Sequence, residues 1–120
     1  MKLILLEDDA LILEFTQEAL AEAGFEVLPA VSGEDALQLL SDTPDCLAMM
    51  IDVRLQNALD GWEVARLARG RHPDVAIIYT TTADIPHFER ERVDRSVLLQ
   101  KPYTLDRAVS AAREACHKVD

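Results

Sequence analysis

Four short apolar runs punctuate the chain: Leu3–Leu6, Cys46–Ile51, Val75–Tyr79 and Val97–Leu99. None alternates polar with apolar positions. Brief uninterrupted runs of this kind suit strands covered on both faces, as a parallel sheet requires. A weaker run, Phe25–Leu28, alternates around Glu26 and stops at Pro29, the pattern of an edge strand.

Between the runs the period changes to that of helices. Leu11, Phe15, Ala19 and Ala23 recur at helical spacing from Ala10 to Ala23, and Gly24 stands where a left-handed residue closes a helix. Ser32 caps a second helix, with Glu34 and Asp35 in its first turn, Leu37 and Leu40 on one face, and an end before Pro44. A third runs from about Gly61 through Trp62, Ala65 and Leu67 to Gly70. Pro86 opens a short fourth carrying Phe88 and Val93. Thr104 caps the last, whose apolar stripe is Leu105, Ala108, Val109, Ala112 and Cys116. Five strands alternating with five helices predict a single α/β domain over residues 1–120, a doubly wound parallel sheet with helices on two faces. The last helix ends essentially at Asp120, so a stand-alone domain is expected.

Composition narrows the function. With 12 Lys plus Arg against 22 Asp plus Glu the net charge is −10, which argues against direct nucleic-acid binding and against a membrane surface. No apolar run approaches the roughly 20 residues needed to span a bilayer, and no signal-peptide pattern is present. Cys46 and Cys116 lack metal-like spacing and read as buried reduced thiols of a cytoplasmic protein. Trp62, Phe88, Met49 and Met50 read as packing residues. His72, His87 and His117 are too scattered for a metal site and read as surface residues.

Ligands of an open parallel sheet bind beyond the carboxyl ends of its strands, so the residues that follow each run carry the chemistry. The first run leads into Glu7, Asp8 and Asp9, the third-strand run into Asp52, the next into Thr80, Thr81 and Thr82, and the last through Gln100 into Lys101. Acids crowded at one edge repel one another unless a cation binds among them. Oxygen ligands without His or Cys favour Mg²⁺. An Asp beside that ion can act as a carboxylate nucleophile toward phosphorus, and Asp52, at the end of the most buried run, is best placed. Mg²⁺, Lys101 and Thr81 would neutralise and orient the phosphoryl oxygens.

The arrangement resembles the receiver domain of two-component response regulators along essentially the whole chain. The resemblance rests on "LILLEDDALIL", "MMIDVRL", "AIIYTTTAD" and "QKPY", at the ends of successive core strands. It implies a flavodoxin-like sheet of order 2-1-3-4-5 and a phosphoacceptor role for Asp52. It further implies Mg²⁺ held by Glu7, Asp8, Asp52 and the backbone carbonyl of Arg54, and phosphoryl contacts from Lys101 and from Thr81, with Thr80 one residue away. Asp9 then starts the first helix, Pro102 matches a proline often preceded by a cis peptide bond, and Asp60–Gly61 matches the acid–glycine pair before the third helix. The implied partners are a histidine kinase or histidine phosphotransfer protein upstream and a protein target downstream, met through the face of the fourth helix, fifth strand and fifth helix. Such a domain catalyses its own phosphorylation and dephosphorylation.

The chain also departs from the family pattern. Leu98 replaces an aromatic three residues before the lysine, Thr82 stands where a small residue is usual, and "LQNALDG" lacks a common proline and is one residue longer. With Leu98 in place of a ring, the response is expected in the loop after the fourth strand and in the fourth helix, Thr81 to about Val93, with Tyr103 or Tyr79 as substitute aromatics. Arg54 occupies the place of the second Asp that a dehalogenase-type phosphatase needs, and the four glycines form no phosphate loop. The competing reading is a receiver-like interaction module that works without phosphorylation.

Overall fold

The computed structural model describes residues 1–55, 59–83 and 85–117. Strands and helices alternate as β1 (Lys2–Leu6), α1 (Ala10–Glu22), β2 (Glu26–Ala30), α2 (Gly33–Asp42), β3 (Cys46–Asp52), α3 (Gly61–Arg71), β4 (Ala76–Thr81), α4 (Ile85–Glu91), β5 (Ser96–Gln100) and α5 (Leu105–His117). All four strand pairings are parallel and the order is β2-β1-β3-β4-β5.

The uninterrupted apolar runs become the inner strands because each of their faces has a helical layer to bury against. On one face Ile4, Leu6, Met49, Ile51, Ile77 and Tyr79 pack under α2, α3 and α4; on the other Leu3, Leu5, Ala48, Met50 and Ile78 pack under α1 and α5. Cys46 and Cys116 are free and buried. The chain turns one way from β1 to β2 and the other way to β3, which opens a crevice beyond the ends of β1 and β3. Among the described residues no helix is long and apolar enough to cross a membrane.

Helix starts follow side-chain chemistry. Asp9 accepts from the N–H groups of Leu11 and Ile12, Ser32 from Asp35, Asp60 from Glu63 and Thr104 from Arg107. Gly24, at φ +104°, takes the left-handed conformation after α1.

Several sequence expectations are corrected. The buried face of α1 is Thr16 and Leu20, whereas Leu11 is 64% and Phe15 53% exposed. Thr16 is buried because its hydroxyl is paired with the Tyr103 hydroxyl at 2.9 Å, a partner 87 residues away. Leu105 is exposed rather than part of the α5 stripe, while Ala108, Ala112 and Cys116 are buried. Pro29 lies inside β2, where a proline is tolerated because the strand is at the sheet edge. Thr80 and Thr81 belong to β4 itself, and α4 ends at Glu91, short of Val93. His87 is half-buried and stacks on Trp62, with ring centroids 5.7 Å apart. The centre of the longer loop after β3, residues 56–58, and the end of the last predicted helix, residues 118–120, lie outside the described residues.

Candidate functional site

Each acid sits where its strand ends. The Glu7 N–H donates to the Ala30 carbonyl at 3.1 Å, which extends the β1 ladder by one bond and leaves the side chain buried at the crevice. Its Oε2 accepts from the Asp9 N–H at 3.0 Å. Asp8 is half-buried beside it. Asp52 closes β3 opposite Thr80, is 2% exposed, and accepts from the Arg54 N–H at 3.1 Å. Carboxylate oxygens of Glu7, Asp8 and Asp52 lie within 4.8 Å of one another.

Lys101 enters from the end of β5 and spans the acids. Its Nζ is 3.0 Å from Glu7 Oε1 and 3.2 Å from Asp52 Oδ1. Its own N–H donates to the Thr81 carbonyl at 2.8 Å, which fixes the lysine to β4, and the Lys101–Pro102 peptide bond is cis. Thr81 is buried, and its Oγ1 accepts from the Ala83 N–H at 3.0 Å. Thr80, also buried, uses its carbonyl to accept from Val53 N–H.

The electrostatics follow from burial. Desolvation first, then the neighbouring Glu7 carboxylate, pushes the Asp52 carboxyl up to about 7, against the pull of Lys101. Burial acts to lower the Lys101 ammonium, but Glu7 and Asp52 outweigh it and raise its pKa. Three carboxylates meet one ammonium, an excess of negative charge on hard oxygen ligands that fits a divalent cation such as Mg²⁺.

Of the residues singled out in the sequence, Glu7, Asp8, Asp52 and Lys101 meet here; Thr81 closes the neighbouring β4, and Arg54 touches Asp52 through its backbone N–H while its side chain is exposed. Gly61 has a role that spacing alone does not reveal. Its N–H donates to the Val53 carbonyl at 3.0 Å, and a Cβ there would stand 2.5 Å from the Asp52 carbonyl oxygen and from Val53 Cα. Only glycine lets α3 begin this close to the strand end that carries Asp52.

Residues 3–113 match the response regulator receiver domain family. The chain belongs to that family. The response regulator MprA of Mycobacterium tuberculosis H37Rv is 30% identical over 116 residues, covering 94% of this chain and 49% of that protein. The chain thus spans about half the length of the curated relatives it matches. A response regulator receiver protein from Sinorhizobium medicae superimposes with a TM-score of 0.92 at 28% identity, over 100% of this chain and 97% of the other. The chemotaxis protein CheY4 of Vibrio cholerae shares the fold, with a TM-score of 0.87 at 22% identity over 95% and 97% of the two chains. The response regulator receiver is a module of two-component signal transduction, and in this chain an acidic cluster of Glu7, Asp8 and Asp52 lies at the strand ends of that fold.

Proposed function

We propose that this receiver accepts a phosphoryl group on Asp52 and changes its protein partners in response. An Asp52 carboxylate oxygen attacks phosphorus of a phosphohistidine, the bond from phosphorus to the imidazole nitrogen breaks, and that nitrogen keeps the electron pair. Glu7, Asp8 and Asp52, with the Arg54 carbonyl, would hold Mg²⁺. When bound, the ion neutralises charge on the phosphoryl oxygens. Lys101 offers an ammonium to one of those oxygens, and the Thr81 hydroxyl, whose oxygen accepts from the Ala83 N–H, has its proton to donate to another. Water attacking phosphorus in line would break the bond to the Asp52 oxygen, release inorganic phosphate and return the carboxylate, so the domain resets itself.

The observation that carries this reading is the placement of Asp52, buried within reach of two further carboxylates and of Lys101. The donor is a histidine kinase or histidine phosphotransfer protein. Exposed Leu11 and Phe15 form with Ile12, Pro102, Tyr103 and Leu105 an apolar groove of about 530 Å³ that reaches Lys101, and the donor docks there because its histidine must come to the same rim. The downstream protein target meets the face of α4, β5 and α5, where Ile85, Leu98 and Tyr103 border a shallow depression. The chain acts in the cytoplasm, where such kinases present their phosphohistidine.

Intact mass after incubation with Mg²⁺ and acetyl phosphate tests the assignment. One added phosphoryl group is expected, and none in Asp52→Asn. No mass change in the wild type, with partner binding unaltered, would favour the interaction module that works without phosphorylation.

A further inference from the structure

The end of the sheet opposite Asp52 carries a second concavity, with the reverse charge. In the sheet register β4 meets β5 only from Ile77 opposite Ser96, so Ala76 has Ala48 of β3 on one side and a gap on the other. That gap is a cavity of about 190 Å³ between the starts of β4 and β5, bordered by Ala115 of α5. Ala76 stands four residues before Thr80, the register partner of Asp52, which puts the cavity roughly 13 Å along the strands from the acidic crevice.

The chain is acidic overall, yet six of its 12 Lys plus Arg fall between Arg66 and Arg95, against five of its 22 acids. The fold gathers three of those guanidiniums at this end of the sheet, and Arg92 and Arg95 line the cavity itself. Arg92 donates from Nε to the Ser96 hydroxyl at 3.1 Å and from Nη2 to the Ser96 carbonyl at 2.6 Å. Its Nη1 has Glu89 at 3.9 Å, beyond hydrogen-bond reach. Arg95 donates from Nη2 to the Pro73 carbonyl at 2.7 Å and holds Nη1 3.8 Å from Asp74. Its backbone takes the left-handed φ of +57°, uncommon for a residue with a side chain, where the chain turns from α4 into β5 beside the cavity. Arg69 bonds the carbonyls of Asp94 and Val75 from α3, and its Nε is buried with no partner among the described residues. The Glu89 and Asp74 carboxylates are mostly in solvent, so they neutralise these cations weakly.

Unspent guanidinium donors make one wall of a binding site, and the rest of this cavity is apolar. We propose that it binds a small carboxylate with a short apolar tail, the carboxylate at Arg92 and Arg95 and the tail against Ile77, Val97 and Ala115. A planar guanidinium fork matches a planar carboxylate. The volume lies below the roughly 300 Å³ at which pockets for larger ligands begin, so an acid of about four carbons fits and a nucleotide does not. Inorganic phosphate would meet the arginines but leave the apolar wall uncovered. The site is independent of the phosphoacceptor reading of Asp52.

Titration of the whole chain with sodium butyrate at constant ionic strength, followed by amide chemical shifts, tests the proposal. Saturable shifts are expected at Ala76, Ser96, Val97 and Ala115, with a dissociation constant on the order of 1 mM for so small a ligand, and they should persist in Asp52→Asn. Butyramide keeps the shape without the charge and should bind about tenfold more weakly. Arg95→Gln, at an exposed position that leaves the core intact, should weaken butyrate by about the same factor. Shifts that fail to saturate, or that centre on Lys101 instead, would overturn the site. Equal binding of butyramide, or full affinity in Arg95→Gln, would overturn the part given to the arginines. Inorganic phosphate moving the same amides with the affinity of butyrate would overturn the choice of a carboxylate with an apolar tail.

Discussion

Asp52 is held in a place that disfavours its charge, and that has a measurable consequence for the metal-free protein. Its carboxyl titrates at about 7 when folded, against an ordinary value of 3.8. Between those two values the native state binds a proton that the unfolded chain has released, so stability is greatest at low pH and falls as pH rises toward the folded value. This is the opposite sign from a salt-bridged surface acid. Asp52→Asn removes the titration. In chelator, the wild type should lose stability relative to Asp52→Asn from about pH 4 to pH 7 and end roughly 1–3 kcal/mol below it at pH 8, because desolvation of the carboxylate, and after it the neighbouring Glu7, is only partly offset by Lys101. Urea unfolding at several pH values measures this, and parallel curves for the two proteins would show that Asp52 is not strained. The residue types at the strand ends were enough to nominate Glu7, Asp8, Asp52, Thr81 and Lys101. The role of Gly61 was not legible from spacing, since it depends on how closely α3 approaches the Asp52 carbonyl.

At the scale of elements, the strands were the readable part. A run such as Cys46–Ile51 is apolar throughout because both its faces are covered, and that requirement is visible in the sequence without knowing its neighbours. The face of α1 was misread because a helix rich in apolar residues offers more than one stripe, and the decisive residue is a polar one. Thr16 faces inward only because Tyr103 arrives from the far end of the chain to satisfy its hydroxyl. Two predictions separate the stripes. Leu20→Ala should cost about 2–5 kcal/mol by opening a cavity, while Phe15→Ser should stay within about 0.5 kcal/mol. Phe15→Ser should nevertheless slow phosphotransfer from a histidine-bearing protein while leaving the reaction with acetyl phosphate unchanged, since Phe15 lines the groove and not the acidic pocket. For the Thr16–Tyr103 bond, a double-mutant cycle with Thr16→Val and Tyr103→Phe should give a coupling of roughly 0.5–1.5 kcal/mol in thermal or urea unfolding. Additive effects would show that the two hydroxyls are each satisfied elsewhere.

For the whole molecule, the sheet order is what turns separate strand ends into one site. Because β1 lies beside β3, Glu7 and Asp8 meet Asp52 although more than forty residues separate them, and β4 and β5 then bring Thr81 and Lys101 in from one side. The order was implied by family resemblance; alternation of strands and helices alone gives a parallel sheet without saying which strand is central. The convergence leaves the resting fold with an excess of carboxylates in its crevice, within a chain whose net charge is already −10. A divalent cation that binds only the folded crevice must therefore stabilise the fold by mass action, by about 2.7 kcal/mol when Mg²⁺ is a hundredfold above its dissociation constant. For a domain of this size that is an increase of roughly 10 °C in the unfolding midpoint. Glu7→Gln with Asp8→Asn should abolish most of that gain, and its metal-free form should be at least as stable as the wild type at pH 8, since two of the repelling charges are gone. Equal ionic strength from NaCl should not reproduce the wild-type gain, because screening acts weakly on buried charges. Calorimetry over a Mg²⁺ series decides it: a midpoint that rises equally in both proteins would place the cation outside the crevice, whereas a rise confined to the wild type ties the stability of the fold to the same three carboxylates that are assigned to its chemistry.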